Sequence, residues 1–516
     1  MFKYSVSKFF NYVKKDYIID WLNLYGSKHG FAKEKRNAFF MNKGNELEKK
    51  VKDMLVKDMT SNEFADLTQF VFKNYTHQQQ TKTKLQNPLV SCIYQGLVAD
   101  SSNVLYGITD FIVTKNRLED WISKYSKSVK TNDDDIATYY VVDVKSSCHV
   151  NNEGKVCRST RNYEWLQFQL SMYSSMLSSY GVKTSSKAYI MSYKNDRIVM
   201  GEMDVIDINK EELLIYMKEL YTKGNEWTFS PKPSNDYMYP NMKNEYDDDW
   251  RKAKTIIAEK IGEWTLIPYV SVKKRQEFWE KGFKTFRESG IVGRLDELKL
   301  DNKFVIEVNQ QNVFSESRNT DLVKQEIKKI FGESDVVLYI DIETIYHNFS
   351  FVPFMACVYC STYNKYDIIM CESLEDACRG EISNKVSDIM EKYTESFGKI
   401  KVVHYSGNES QAFRKNENVE YIDLYDILKA KKFAMTGLYS LKLKDLYKSL
   451  IRVKEDLNIA NGLEAMAIGN LYYATADSKE KEKYKTDLQK YIKRDVDILV
   501  KVIRYFIRLN EHFSIC

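Results

Sequence analysis

Several features are scarce in this chain of 516 residues, and each scarcity excludes a class of protein. Only 6 prolines and 20 glycines argue against long linkers or low-complexity tails. Eight cysteines scattered over so long a chain predict reduced thiols in an intracellular protein, not a disulfide scaffold. No stretch reaches the roughly 18 apolar residues of a transmembrane helix, and charged residues interrupt the apolar runs at the N-terminus. Neither a membrane partner nor a signal peptide is therefore expected.

Charge of one sign is also lacking. The 77 lysines and arginines nearly balance the 72 acidic residues, which leaves a net charge of +5. That excess is too small to identify a nucleic-acid-binding protein by charge alone, so any basic surface must come from local segregation. The phosphate-binding loop pattern G-x-x-x-x-G-K-[ST] does not occur, and we expect no helicase motor within the chain.

What is present predicts an α/β multidomain protein. Apolar residues make up 43% of the chain, enough for each domain to bury its own core. At roughly 100–200 residues per domain, the length corresponds to two to four domains. Changes of pattern divide the chain into three blocks, 1–230, 231–330 and 331–516. The 37 tyrosines and many lysines suit an AT-rich genome, such as that of a large DNA virus.

Apolar periodicity gives the expected elements of each block. In the first block, helices are expected at 5–25, 44–58 and 163–180, and strands at 90–98, 103–114, 138–147 and 188–193. The second block begins with a polar, proline-containing stretch at about 230–249, which predicts an exposed boundary. Its charged helices are expected at 247–262 and 272–289, and the third block runs from a buried strand at 336–344 to a long helix at 483–511.

The first block carries acidic residues and a lysine within apolar strand patterns. Alternation along a strand places Asp143 and Lys145 on one face, and Asp110 interrupts a second apolar strand 33 residues earlier. Such groups are costly to bury without a purpose. Asp110 and Asp143 supply the hard oxygen ligands that Mg²⁺ prefers. Lys145 can orient or help deprotonate an attacking water and stabilise charge on a phosphate.

This arrangement resembles the PD-(D/E)XK nuclease superfamily in its RecB-like branch. In that family one strand of a mixed sheet carries an aspartate and the next carries (D/E)-x-K. A preceding helix supplies a glutamate in a G-x-x-x-E context and a later helix carries Q-x-x-x-Y. The matching residues, in order, are Glu48, Asp110, Asp143, Lys145, Gln169 and Tyr173. Glu46 is an open alternative to Glu48, and a D-x-K triplet alone is common by chance.

The third block carries a second set of acids. Asp341 and Glu343 lie two apart on a strand, where their charges repel unless a cation holds them. Glu409 follows a later strand, at the start of a helix. Tyr491 and Asp495 lie one turn apart on one face of the last helix.

This order resembles the DEDD exonucleases of the RNase H-like superfamily, in the form with tyrosine near the last acid. Asp341 and Glu343 match its D-x-E motif, and Tyr491 and Asp495 match Y-x-x-x-D. His404 to Glu409 has the length of the second motif, with glutamate in place of aspartate as in a subfamily fused behind RecB-like nucleases. Asp423, the stretch 437–446 and Asn461-Gly462 add to the likeness.

Two sets of cysteines and one basic stretch form weaker patterns, each of which also has an ordinary structural explanation. Cys357, Cys360, Cys371 and Cys378 suggest zinc, but residues three apart on a strand face opposite sides, so buried thiols are favoured. Cys92, Cys148 and Cys157 are too few for the four-cysteine iron–sulfur variant of the first family. The basic and aromatic stretch 272–299 can contact phosphates, although a solvated helical hairpin is the default.

The resemblances together imply a Mg²⁺- or Mn²⁺-dependent nuclease with two modules. They imply a PD-(D/E)XK restriction-endonuclease-like domain, a helical middle segment and an RNase H-like 3′–5′ exonuclease domain. DNA is the favoured substrate, with single-stranded or frayed ends at the second module, in replication, repair or recombination. The alternative is a catalytically reduced nucleic-acid-binding scaffold that recruits a helicase or polymerase.

Overall fold

The chain forms two compact units, 1–261 and 262–516, in a computed structural model. The structure describes residues 3–34, 39–71, 74–126, 129, 138–145, 148–194, 197–247, 249–300, 303–310, 317–331, 336–348, 350–406, 416–451, 459 and 461–508. Both units combine helices with a mixed sheet, which confirms the α/β multidomain class. Within the described residues, every helix is too short or too polar to cross a bilayer.

The first unit is built on a seven-stranded mixed sheet. Its strands are β1 (Tyr4–Ser5), β2 (Phe64–Asp66), β3 (Cys92–Ala99), β4 (Leu105–Thr114), β5 (Tyr139–Val144), β6 (Lys187–Lys194) and β7 (Arg197–Asp204). The order is β2-β3-β4-β5-β6-β7, and β1 pairs with β4. Strand β4 is antiparallel to both of its neighbours, β3 and β5, whereas β5 and β6 run parallel. Strand β5 is buried along its whole length, which agrees with apolar or aromatic residues at every position except Asp143.

Helices cover this sheet and complete the core of the first unit. They are α1 (Phe10–Val13), α2 (Ile18–Tyr25), α3 (Phe39–Val56), α4 (Asn74–Gln86), α5 (Lys115–Tyr125), α6 (Tyr163–Ser178), α7 (Lys210–Lys223) and α8 (Arg251–Ile261). The helix expected at 5–25 is two helices, and a turn at Asp16 separates them. Most side chains of α6 are buried because the helix packs against β3 and β5.

The expected boundary at 230–249 is not an exposed linker throughout. Only its first part is largely exposed, whereas Met238 and Trp250 are buried in the first unit. The carboxylate of Asp16, itself fully buried, accepts hydrogen bonds from the backbone of Asn241 at 2.8 Å and from Lys254 Nζ at 3.0 Å. These polar residues imitate a linker in sequence because their partners lie more than 200 residues away.

The second unit contains a five-stranded mixed sheet. Its strands are β9 (Val337–His347), β10 (Ser350–Cys360), β11 (Lys365–Met370), β12 (Ile400–His404) and β13 (Val419–Asp423), and two short strands, β8 (Ser317–Arg318) and β14 (Ala434–Met435), pair separately. The order β11-β10-β9-β12-β13 joins an antiparallel β-meander to two parallel strands. Strand β9 therefore lies at the centre of the sheet.

The helices described in the second unit are α9 (Val272–Glu280), α10 (Lys303–Gln310), α11 (Thr320–Ile330), α12 (Leu374–Cys378), α13 (Glu381–Phe397), α14 (Leu424–Ala430), α15 (Leu443–Ile451), α16 (Gly462–Ala474) and α17 (Ser478–Arg508). Helices α12, α13, α16 and α17 pack against the five-stranded sheet. Helix α17 buries Leu488, Ile492, Val496, Leu499 and Ile503, an apolar stripe at three- and four-residue spacing. The helix expected at 272–289 ends at Glu280, and 281–300 continues in turns.

Candidate active sites

Asp110 and Asp143 lie side by side in the first unit. Antiparallel pairing of β4 with β5 places Phe111 opposite Val142, so the next pair along the ladder is Asp110 with Asp143. Asp110 Oδ2 accepts a hydrogen bond from the backbone of Val144 at 2.7 Å, and Asp143 is only 2% exposed. The register of two neighbouring strands therefore brings the two carboxylates together.

Burial and mutual repulsion shape the charges of this pair. Burial, followed by the neighbouring Asp143, raises the pKa of Asp110 well above its usual range, and Lys145 opposes that rise. Lys145 follows β5 directly and its ammonium forms an ion pair with Asp143. Burial alone would lower the pKa of Lys145, but Asp143 and Asp110 outweigh it and raise the pKa. Lys145 is therefore a stable cation beside two acids.

Helix α3 directs Glu48, not Glu46, toward these acids. Glu48 Oε1 accepts hydrogen bonds from the Tyr94 hydroxyl and from Gln95 Nε2, both at 2.6 Å. The same amide nitrogen lies 3.5 Å from Asp110 Oδ1, so it bridges the two acids. Glu46 is exposed and pairs with Lys43 at 2.7 Å. The phase of α3 thus decides between the two glutamates, and it places Glu48 rather than Glu46 beside the acids.

Gln95 is a site residue that sequence reasoning missed. It lies in the middle of β3 with φ of 57°, a left-handed conformation that is unusual for a strand residue. The buried ring of His77 contacts the Gln95 carbonyl through Nε2 at 2.6 Å. A single amide in the otherwise apolar run CIYQGLVA was the available signal, but its backbone conformation is not visible in sequence.

Gln169 and Tyr173 come from α6 and bond to each other. Gln169 Nε2 donates to the Tyr173 hydroxyl at 2.9 Å. Burial, and then Asp143, raises the pKa of Tyr173, so its hydroxyl stays protonated. The Tyr173 ring fits only because residue 107 is glycine, since a Cβ there would lie 2.3 Å from Tyr173 Cε1.

Gly107→Ala should therefore destabilise the first unit, by about 2 kcal/mol, because the ring or strand β4 must move. Gly44→Ala is the matched control, since a Cβ at this position of α3 has no atom within 4 Å. That control should be neutral or stabilising, by about 0.5–1 kcal/mol, from helix propensity. Chemical denaturation followed by circular dichroism measures both. Equal stability of the two variants would show that Tyr173 is not held as described.

The second unit brings three carboxylates into one cluster. Asp341 and Glu343 project from one face of β9, and Asp495 comes from α17. One ligand oxygen from each residue lies within 4.8 Å of the others. Within the described parts of the chain, no other group of three or more metal-ligating side chains brings its ligand atoms within this distance. The cluster can hold a metal ion, which supports the expected divalent cation without identifying it. A register shift opposite Glu343, between Pro353 and Met355, distorts β10 at this point.

Tyr491 lies one turn before Asp495 and is 2% exposed. Burial, followed by Glu343, Asp495 and Asp341, raises the pKa of Tyr491, and its hydroxyl stays protonated. Helix α16 begins beside it, since a Cβ at Gly462 would lie 4.0 Å from both the Tyr491 hydroxyl and Glu343 Oε2. The glycine of the Asn461-Gly462 pair therefore leaves room next to the acids.

Lys444 is a second residue that sequence reasoning did not single out. Its Nζ donates to the Tyr491 hydroxyl at 2.7 Å and lies 2.9 Å from Asp495 Oδ2. Arg494 Nε lies 3.3 Å from the other oxygen of Asp495. Lys444 belongs to the stretch GLYSLKLKDL, whose alternating lysines gave no indication of which one turns inward.

The expected fourth acid, Glu409, lies outside the described residues. The chain leading to it is described up to Ser406, where φ is 81°. Asp423 Oδ1 accepts from the backbones of Ser406 at 3.0 Å and Tyr425 at 2.9 Å. His404 Nδ1 lies 2.9 Å from the Ser406 carbonyl. Asp423 and His404 thus shape this turn.

The cysteines occupy ordinary packing positions. Cys357, Cys360 and Cys371 are buried in the second unit, and Cys378 is exposed. Burial, and then Asp341, raises the pKa of Cys357 to about 12, and no cysteine among the described residues joins a group of side chains that could hold a metal. In the first unit, burial raises the pKa of Cys148 to about 12. Both raised pKa values agree with the prediction that these cysteines are buried thiols.

Comparisons with known proteins add no identification. No protein-family model, no curated protein and no solved structure matches this chain significantly. The charged clusters of the first and second units are therefore the basis for proposing a function.

Proposed function

We propose that this chain is a nuclease that hydrolyses phosphodiester bonds of nucleic acid, DNA favoured, with divalent metal ions at two sites. One observation carries the proposal: Asp341, Glu343 and Asp495 converge from a central strand and a distant helix. Carboxylates that repel one another so closely need a cation, and hard oxygen ligands suit Mg²⁺ or Mn²⁺. The resemblance to DEDD exonucleases assigns the same three residues and a fourth, Glu409, which lies outside the described residues.

The side chains of the second unit fit this chemistry. A metal held by Asp341, Glu343 and Asp495 would supply an activated water and stabilise charge on the phosphate and leaving oxygen. The protonated Tyr491 hydroxyl lies among these acids and can orient a water or phosphate oxygen by hydrogen bonding. Its burial fixes the ring, so this orientation is set before substrate binds.

The first unit fits a related role with a different charge pattern. Asp110 and Asp143 would hold the metal there, and Gln95 joins Glu48 to Asp110. The raised pKa of Lys145 favours a role as a cation that stabilises negative charge on the phosphate over one as a base. Gln169 Oε1 is buried without a hydrogen-bond partner among the described residues, so it can accept from a water at the site.

A direct assay tests the proposal. The purified chain, supplied with Mn²⁺, should degrade 5′- or 3′-labelled DNA and lose this activity when EDTA removes the metal. Release of mononucleotides from a 3′-labelled single strand is the expected product of the second unit. Single- and double-stranded DNA and RNA, compared in parallel, identify the substrate and polarity. Binding of nucleic acid without any hydrolysis would contradict the proposal and favour the scaffold alternative.

A further inference from the structure

Lys444 reaches the acidic cluster from a part of the chain that carries none of the expected acids. It is the second residue of α15, and its ammonium contacts both Asp495 and Tyr491, as described above. The Nζ atom lies 4.3 Å from the centre of the Tyr491 ring, a cation–π distance. The lysine side chain is 28% exposed, against 11% for Asp495. The Lys444 side chain is therefore the more accessible member of this ion pair.

The charges around the cluster favour an anionic group at that position. Asp341, Glu343 and Asp495 contribute three negative charges, and Lys444 and Arg494 contribute two positive ones. For these five side chains, one divalent cation changes the sum from −1 to +1, which favours a phosphate, and without Lys444 the sum would be zero. Glu409, the expected fourth acid, lies outside the described residues and is left out of this sum. The lysine thus supplies the excess positive charge once a metal is bound.

A lysine head is suited to a phosphate oxygen. Its ammonium is a compact charge with three donors on a flexible stem, so it can keep one bond to Tyr491 and turn another toward a ligand. A divalent cation bound by Asp495 weakens the attraction between that carboxylate and the ammonium. The Lys444 side chain is partly exposed, which leaves space for this small movement.

We propose that Lys444 binds the phosphate of the nucleic-acid strand at the Asp341, Glu343 and Asp495 cluster. The proposal rests on the proposed nuclease function and adds a substrate-contacting residue to it. A simpler role is that of a counter-ion that holds Asp495 in place until a metal binds. The counter-ion role requires only charge balance with Asp495, and it implies no preference for a charged linkage in the substrate.

Binding measurements on the full chain separate the two roles. The Asp143→Asn background removes hydrolysis at the first site, and Ca²⁺ replaces Mn²⁺ because its looser coordination supports binding with little turnover. The probes are two single-stranded oligodeoxynucleotides, one ordinary and one with an uncharged methylphosphonate as its 3′-terminal linkage. Fluorescence anisotropy gives the Kd of each.

Lys444→Met should raise the Kd of the ordinary strand on the order of tenfold, the effect of losing one charge-assisted contact. It should change the Kd of the methylphosphonate strand little, and Lys444→Arg should restore most of the difference. Lys448→Met, one turn later and exposed, is the matched control and should change neither value. Mn²⁺ affinity without oligonucleotide should be equal or tighter in Lys444→Met.

Equal losses for both strands, or no loss for either, would overturn the assignment and leave the counter-ion role. A wild-type chain that binds both metal and strand but hydrolyses nothing would remove the nuclease function, and the Kd comparison would still decide the phosphate contact. A chain that binds no strand at all would overturn both.

Discussion

Asp341→Asn should reduce mononucleotide release by the second unit on the order of 10³-fold or more, since it removes one charge from the metal-binding set. Asparagine has nearly the same size, so packing within β9 is kept. The measurement is hydrolysis of 3′-labelled single-stranded DNA with Mn²⁺ in the Asp143→Asn background. Isothermal titration should show weaker Mn²⁺ binding in the same variant.

Asp367→Asn is the matched control for this prediction. Asp367 lies on β11 of the same sheet, where it pairs with Lys365 at 2.8 Å and belongs to no carboxylate cluster. Its replacement should leave the rate unchanged. The double variant Asp341→Asn, Asp495→Asn should lose little more than either single variant, because the ligands act as a unit. Additive losses, or a rate above one tenth of wild type for Asp341→Asn, would refute the assignment.

The second large effect is expected at the first unit. In an Asp341→Asn background, Asp143→Asn should abolish the remaining metal-dependent cleavage, on the order of 10³-fold, by removing a ligand. Lys145→Met should reduce kcat by roughly 10²- to 10³-fold, the effect of losing one charge-stabilising group. It should leave Mn²⁺ binding intact because the lysine binds no metal. A gel assay on labelled duplex and single-stranded DNA measures both.

The ion pair between Lys187 and Asp204 offers a control within the same sheet. It joins β6 and β7 and its aspartate is 64% exposed, so Lys187→Met and Asp204→Asn should leave cleavage unchanged. Wild-type cleavage by both Asp143→Asn and Lys145→Met would exclude this cluster as a catalytic site. Loss of cleavage in the control variants would indicate that general destabilisation, not chemistry, explains the result.

Local pattern predicted the elements on which the site residues lie. Strands β4 and β5 and helix α6 were expected close to their observed bounds because their apolar runs are long and periodic. The stretch before α8 was predicted to be an exposed boundary, because prolines, asparagines and aspartates usually mark exposed loops, and this prediction was wrong for its second half. In this protein several of them form a buried network around Asp16. Such partners are distant in sequence, and composition carries no sign of them.

For the candidate sites, too, the sequence predicted some of the residues and missed others. Spacing identified Asp341, Glu343 and Asp495, which the structure brings together. It did not identify Gln95 or Lys444, whose positions depend on an unusual strand backbone and on the path of α15. A residue that reaches a site through tertiary packing leaves a weak local signal.

The separation of the clustered acids along the chain also bears on how the protein is made. Glu343 precedes Asp495 by 152 positions, 495 − 343, so a ribosome adds β9 long before α17. At about 5–20 residues per second, the nascent chain carries two of the three acids for roughly 8–30 s before the third exists. The second unit therefore cannot assemble its cluster while that part of the chain is still being translated.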